Sequence, residues 1–477
     1  MRPLEILLVF LIAGAAVCVL MGRWPRTGRL LAAVALLAAA AHGILEGAHW
    51  QMIPAYAAAG ILGLAAWKPG GDRTRPRRFP AWAALLLASA SVLCSLLLPM
   101  FRLPTPTGPY PVGTSILYFK DAARIEDATQ AGDSPRELVV QLWYPAQPSH
   151  NRLARYREPK ETNTLSSYQS VLRTNSRLDA PVASAGAPFP VILFNHGWRG
   201  RRTNDTFLTE ELASQGYVVA SIDHTYNASL VAFPDGRVVH GNAANDIDAP
   251  ESSTPERVRA VWNRELAKWV ADQRFVLDRL EAMNRAAGSP WFGLLDTERA
   301  GAIGHSFGGA AATAVCAEDR RVRAAVNMDG WFFGAIRERG PNQPLLVIDA
   351  YTAQVGETPG PSAKVEAVLD VTDSADMQAS LRRFGGYLLL VKGAAHDDFT
   401  DQPLVSPLRI LSHCGAIPAR RIQSIVRSYV VAFFAKTLRG QDPRVLDAHS
   451  SSYSEAWLEA WPASRTANVS SVGPGGQ

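Results

Sequence analysis

The residues Gly304-His305-Ser306-Phe307-Gly308 set a serine between two glycines at Gly-x-Ser-x-Gly spacing. The apolar run Ala300–Gly304 precedes them, and an Ala-rich stretch opening with Gly309-Ala310-Ala311 follows. A buried strand, a turn too tight for bulky neighbours and then a helix expose a serine Oγ for nucleophilic attack. The start of the helix also favours the negative charge that develops there. A Gly-rich loop with an incidental serine would account for the five residues, but not for the strand before them and the helix after. Ser306 therefore reads as a nucleophile.

A serine hydroxyl needs a positioned base, and on such a scaffold the chain order is Ser, then acid, then His. His396, His413 and His449 lie downstream. His396 follows the apolar run Tyr387–Lys392 through Gly393-Ala394-Ala395, at the end of a strand, where catalytic loops gather. His413 falls in a stretch read as helix and His449 close to the tail, which leaves His396 as the base. The acid stays open at this level. Asp329 follows Val322–Met328 and Asp349 ends Leu345–Asp349, with Asp373 and Asp376 as rivals. An oxyanion needs two backbone N–H donors. Phe307, after the nucleophile, is one; Trp198, after the run Val191–Asn195 and His196-Gly197, is the other. His196 itself reads as a structural loop histidine.

These groups need a scaffold. Leu138–Tyr144, Pro190–Asn195, Tyr217–Asp223, Ala300–Gly304, Val322–Met328, Leu345–Asp349 and Tyr387–Lys392 read as strands. Several are continuous apolar runs, as in strands covered on both faces. Arg257–Met283 has apolar residues at helical spacing, and His240–Thr254 reads as a surface loop. Alternation of strands and helices gives an α/β class with a mostly parallel sheet flanked by helices, the α/β-hydrolase fold. The domain runs over residues 103–464, after a Pro-rich spacer at Leu103–Pro109, and residues 465–477 read as a disordered tail.

The first 102 residues are of another kind. Leu4–Met21, Leu30–Leu45, Met52–Trp67 and Ala81–Met100 are apolar, which predicts an all-α transmembrane region of about four helices. A cleaved signal peptide would not be followed by further apolar segments. Arg23, Arg26 and Arg29, then Lys68, Arg73, Arg75, Arg77 and Arg78, fall in alternate connections. Positive loops stay cytoplasmic, so the chain is expected to be a multi-pass cell-membrane protein with everything after Met100 on the non-cytoplasmic side. His42, Glu46 and His49 sit near the turn between the second and third segments. A helical i, i+4 or i, i+3 contact accounts for them, with a metal or proton role as the alternative.

The net charge of +5, without a basic stripe, argues against nucleic acid. Cys18 and Cys94 read as buried small side chains, and Cys316 and Cys414 lack metal-site spacing; a disulfide between the latter two stays open.

With these residues in view, the chain resembles the platelet-activating-factor acetylhydrolase family of lipid esterases, its plasma and type II intracellular branch. Matching segments run in order: Gly108–Gly113, Leu142-Trp143-Tyr144-Pro145, Phe194-Asn195-His196-Gly197, Ser221-Ile222-Asp223-His224, Gly304–Gly309, Asn327-Met328-Asp329-Gly330-Trp331 and Gly393–His396 with Asp398-Phe399. In that family the acid follows the strand after the elbow helix, so the resemblance implies a triad of Ser306, Asp329 and His396. It also implies hydrolysis of a short or oxidised acyl ester, at sn-2 of a phospholipid, with no cofactor and no metal; the expected partners are that substrate and the membrane. The N-terminal helices lie outside the resemblance. Arg199, Arg201 and Arg202, after Trp198, read either as contacts for a lipid phosphate or as a solvated loop. A general carboxylesterase or a polyester hydrolase akin to cutinases or dienelactone hydrolases is the second enzyme reading, and an inactive membrane sensor is the third.

Overall fold

The computed structural model describes residues 1–22, 25–67, 78–126, 134–242, 247, 254–334, 336–341, 343–351, 365–408, 412–447 and 452–462. Arg23, Lys68, Arg73, Arg75, Arg77, His449, the tail 465–477 and the side chain of Asp373 lie outside the described residues. The chain divides into two compact units. One comprises Met1–Leu103, Arg155–Thr174 and Pro403–Ser412; the other comprises Pro104–Ala154, Asn175–Gln402 and His413–Gln477.

The first, helical unit is built on α1 (Pro3–Met21), α2 (Pro25–Ala41), α3 (Ile53–Trp67) and α4 (Arg78–Leu97). Its packing inverts that of a water-soluble bundle. Ala35, Ala55, Ala58, Ala59, Ala81 and Ala84 are fully buried, whereas Phe10, Leu37 and Leu86 are 71%, 69% and 73% exposed. Small residues inside let backbones approach when the medium outside is as apolar as the core. Polar groups act as local glue: Ser91 Oγ accepts from the Ala55 N–H at 2.9 Å, satisfying an amide in the first turn of α3.

Among the described residues three helices, not four, are long and apolar enough to cross a membrane: Pro3–Met21, Arg26–Gly47 and Arg78–Leu97. The second outlasts α2 because a π-helical turn, His42–Gly47, continues it. The correction to the four-span reading concerns α3. Its 15 residues rise about 22 Å, against about 30 Å of hydrocarbon.

The second, sheet unit carries strands β1 (Val112–Ile125), β2 (Pro135–Pro145), β3 (Leu153–Arg155), β4 (Arg173–Leu178), β5 (Phe189–Asn195), β6 (Val218–Asp223), β7 (Leu230–Ala232), β8 (Val238–His240), β9 (Leu295–His305), β10 (Val322–Met328), β11 (Leu345–Tyr351), β12 (Gly386–Lys392) and β13 (Ala456–Trp461). Eleven of them form one sheet in the order β13-β12-β11-β10-β9-β5-β6-β2-β1-β4-β3, and β7 and β8 pair separately. From β6 to β12 the pairing is parallel; β2 joins β6, and β13 joins β12, antiparallel. Two helices follow strands by short crossovers: α5 (Thr206–Ser214) between β5 and β6, and α7 (Phe307–Glu318) between β9 and β10, with α6 (Pro255–Arg285) ahead of β9. α6 and α7 pack together against the sheet, while α5 packs with the C-terminal helix Ala419–Arg439. Both faces are covered, so β5, β6 and the last six residues of β9 are buried throughout, which explains why they read as unbroken apolar runs.

The expected strands and the long helix all form. His413, read as helical, instead sits in a turn at φ 47°, and none of the four cysteines forms a disulfide.

Candidate active site

The serine turn is held by glycines that have no alternative. A Cβ on Gly304 would lie 2.2 Å from the Gly308 carbonyl oxygen, and one on Gly308 would lie 2.3 Å from that of Asn195. With no room for side chains, β9 runs directly into α7, and Ser306 takes φ 57° and ψ −127°, a strained left-handed conformation for a residue with a Cβ. Its N–H donates to the Met328 carbonyl at 2.9 Å, which ties the turn to the end of β10. Phe307 is the first residue of α7, and Gly197 approaches so closely that a Cβ there would be 3.2 Å from that of Ser306. The Trp198 ring meets the Phe307 ring edge-on at 5.2 Å and stacks on Trp269 at 6.0 Å. The two residues expected to offer oxyanion donors are thus neighbours across the serine turn.

At the end of the next strand, Asp329 has φ 51°. Its N–H donates to Ile348 at 2.7 Å, and Asn327 Oδ1 accepts from the Gly330 N–H at 2.9 Å, closing the turn that presents the carboxylate. One carboxylate oxygen accepts from the Ala350 N–H at 3.0 Å; the other meets His396 Nδ1 at 2.6 Å. Burial alone would raise the carboxyl, but the His396 and Ala350 hydrogen bonds outweigh it and hold Asp329 below the usual carboxylate range. Asp349 is the opposite case: burial and then the Asp329 charge push it well above that range. No hydrogen bond between Asp349 and His396 occurs among the described residues, and Asp376 instead pairs with Arg337. The structure thus brings His396 to Asp329 and not to Asp349 or Asp376.

Sequence reasoning passed over two groups here. His305 is buried and its Nε2 lies 2.8 Å from the His396 carbonyl oxygen. Since a carbonyl only accepts, Nε2 carries the proton. Burial and the neighbouring His396 lower His305 to about 3, so it is a neutral donor that pins the histidine loop. Asp398 accepts from the Ala395 N–H at 2.8 Å and from Gly415, closing the same loop from the other side. The only signals for these roles are adjacency: His305 beside Ser306, Asp398 two residues beyond His396. His305, His396 and Asp397 offer ligand atoms within 4.8 Å of one another, yet one nitrogen of each ring is already committed to a hydrogen bond.

Behind the oxyanion loop lies a buried polar network. Arg136 grips Asp272 with two bonds, at 3.1 and 2.6 Å; Asp272 meets His224 at 2.9 Å, and His224 meets Asn195 at 3.1 Å. Trp269 stacks on His224 at 3.8 Å. His196 is buried, donating to the Gly197 carbonyl at 2.6 Å and accepting from the His224 N–H at 3.3 Å, a structural role as expected. Of the three arginines after Trp198, Arg202 fits neither reading. It is buried and paired with Asp223, because the end of β6 supplies a carboxylate for it.

With the geometry described, three comparisons bear on the chain. A family profile described as platelet-activating factor acetylhydrolase, isoform II, matches residues 98–452. A probable 1-alkyl-2-acetylglycerophosphocholine esterase of Arthroderma benhamiae is 24% identical over 403 residues, covering 77% of this chain and 96% of that protein. The platelet-activating factor acetylhydrolase of Cavia porcellus is 24% identical over 374 residues, 70% of this chain and 78% of that one. Among solved structures, a ferulic acid esterase from Streptomyces cinnamoneus superposes with a TM-score of 0.60 at 31% identity, covering 76% of this chain and 99% of that one.

Proposed function

The chain belongs to the platelet-activating factor acetylhydrolase, isoform II, family and is a carboxylic ester hydrolase; from that premise we propose that it cleaves short or oxidised acyl groups from the sn-2 position of phospholipids, using Ser306, His396 and Asp329. In this reading His396 takes the Ser306 hydroxyl proton as Oγ attacks the ester carbonyl, and the Phe307 and Trp198 N–H groups hold the oxyanion. His396 then gives the proton to the departing alcohol. Water, deprotonated by the same ring, frees the acyl group from the serine. Asp329 keeps Nδ1 protonated and stabilises the imidazolium.

The observation that carries the proposal is the 2.6 Å contact between His396 and an ionised Asp329, beside a serine in the strained turn conformation. Support for the substrate comes from the two relatives, a probable 1-alkyl-2-acetylglycerophosphocholine esterase and a platelet-activating factor acetylhydrolase. The likeness to the ferulic acid esterase favours a second reading, a broader carboxylesterase. Rates on 1-alkyl-2-acetyl phosphocholine, its long-chain sn-2 analogue and ethyl ferulate separate them. The phospholipid reading expects the acetyl lipid to lead by at least tenfold in kcat/KM, and ethyl ferulate in the lead overturns it.

The helical unit is proposed to anchor the chain in the membrane, with residues after Met100 on the non-cytoplasmic side. The N-terminal end of α1, the C-terminal end of α2, the N-terminal end of α3 and the C-terminal end of α4 meet at one pole, since Leu4 bonds Glu46 and Gln51 bonds the Leu98 carbonyl. Arg26, Arg29 and Arg78, at the opposite helix ends, then belong to the other pole, which the charge rule puts inside. A reporter fused after Met100 that works only in the cytoplasm would sink this topology.

A further inference from the structure

Three ionisable side chains of the helical unit meet at that first pole: Glu5 of α1, and His42 and His49 from the connection between α2 and α3. All are buried, and their ligand atoms lie within 4.8 Å of one another. We propose that Glu5 Oε1, His42 Nε2 and His49 Nε2 bind a divalent transition-metal ion, zinc by donor set, with the Glu46 carboxylate as the fourth donor. The inference is independent of the chemistry assigned to Ser306.

Glu5 Oε1 is 3.1 Å from His49 Nε2 and 3.5 Å from His42 Nε2. Two ligands on a tetrahedral zinc with bonds of about 2.0 Å are about 3.3 Å apart, so these separations bracket the edge of such a site. Glu46 Oε2 lies 3.6 Å from His42 Nε2, is buried and makes no hydrogen bond. A buried carboxylate oxygen in that state is costly unless something positive reaches it, and Arg2 Nε stands off at 3.7 Å, beyond hydrogen-bond distance.

The outer ring nitrogens carry the second observation. His42 Nδ1 meets Tyr56 Oη at 2.6 Å, and His49 Nδ1 meets Gln51 Oε1 at 2.8 Å. Metal-binding histidines hold their other nitrogen to an oxygen in this manner. At His49 the arrangement is over-determined. Gln51 Nε2 donates to the Leu98 carbonyl at 3.2 Å, which fixes the amide so that its oxygen faces the ring. Both nitrogens of His49 therefore face acceptors, and a neutral imidazole has only one N–H. A proton on Nδ1 and a metal ion on Nε2 satisfy both at once.

Arg2 occupies the place of that cation. Its Nε is 2.7 Å from Glu5 Oε1 and its Nη2 is 3.1 Å from His42 Nε2, while the guanidinium also bonds the Glu46 and Gly47 carbonyls. Arginine is thus the competitor, and metal entry needs only that its head leave the imidazole and the carboxylate. Bound there, the ion would clip the start of α1 to the α2–α3 connection.

The test uses the full chain in detergent, stripped with chelator and dialysed against Zn²⁺ or Co²⁺. The proposal expects about one zinc per chain, intense visible Co²⁺ bands of a tetrahedral N/O site and a raised melting temperature. Arg2→Gln should bind at least as tightly as the natural chain. His42→Gln/His49→Gln should lose the metal while still eluting as a single folded species. If that variant does not fold, the Co²⁺ spectrum of the natural chain decides. An octahedral aquo spectrum, zinc below about a tenth per chain in both the natural chain and Arg2→Gln, or full zinc retained by a folded double variant overturns the proposal.

Discussion

In the sheet unit Trp143, Trp262 and Trp269 lie inside and charge is mostly at the surface; in the helical unit alanines lie inside, and Phe10, Leu37 and Trp82 face outward. The same contrast governs buried ions. The sheet unit threads one line of buried charges behind the Trp198 loop, from Glu126 and Arg136 to Asp272 and His224. The helical unit collects Glu5, His42 and His49 at one pole and lines its helix contacts mostly with alanine. Each medium tolerates polarity only where it is satisfied. Polar groups therefore mark the working parts of both units, but the signs to read differ: strand ends in one, helix poles in the other.

Variants that act on one unit and spare the other sharpen that contrast. Ser306→Ala should lower turnover by about 10⁵-fold or more, with the helical unit's metal content unchanged. Steady-state rates and elemental analysis check both halves, and a joint loss would break the separation. Asp329→Asn should cost about 10⁴-fold in kcat, because the histidine would be left in the wrong tautomer, while Asp349→Asn should cost less than about tenfold. The reverse pattern would move the acid to β11. Asp272→Ala removes one of the two carboxylates that hold the buried Arg136 charge, leaving Glu126, and should destabilise by about 3 kcal/mol in urea melts.

The smallest effect concerns pH. Asp349 has a raised carboxyl in the folded chain, so its contribution is fully present below its unfolded pKa and lost as pH rises through the folded one. Asp349→Asn removes that loss. Its melting temperature should match the natural chain at pH 4 and exceed it by about 2–4 °C at pH 8. A gain at pH 4 instead would mean that the carboxyl is not held neutral.

Much of this was legible in the residues. Parallel strands covered on both faces become continuous apolar runs, so β5, β6 and β9–β12 could be read directly. β1 could not: one edge of its pleat is wet, and Lys120, Asp121 and Arg124 break the run. Ser306 and His396 follow from turn and strand-end chemistry. The acid did not, because Asp329 and Asp349 end adjacent strands and only their surroundings, an imidazole for one and burial for the other, tell them apart. The metal-ligand geometry of the helical unit was hidden for a different reason. His42 and His49 stood out, but Glu5 is a lone acid in an apolar helix, and only folding brings it to them.

The most direct test of the central claim is to treat the full chain with a fluorophosphonate and map the adduct by mass spectrometry. The account predicts one modified residue, Ser306, with labelling slowed by several orders of magnitude in His396→Gln. An adduct on another serine, or labelling unaffected by the loss of His396, would contradict it.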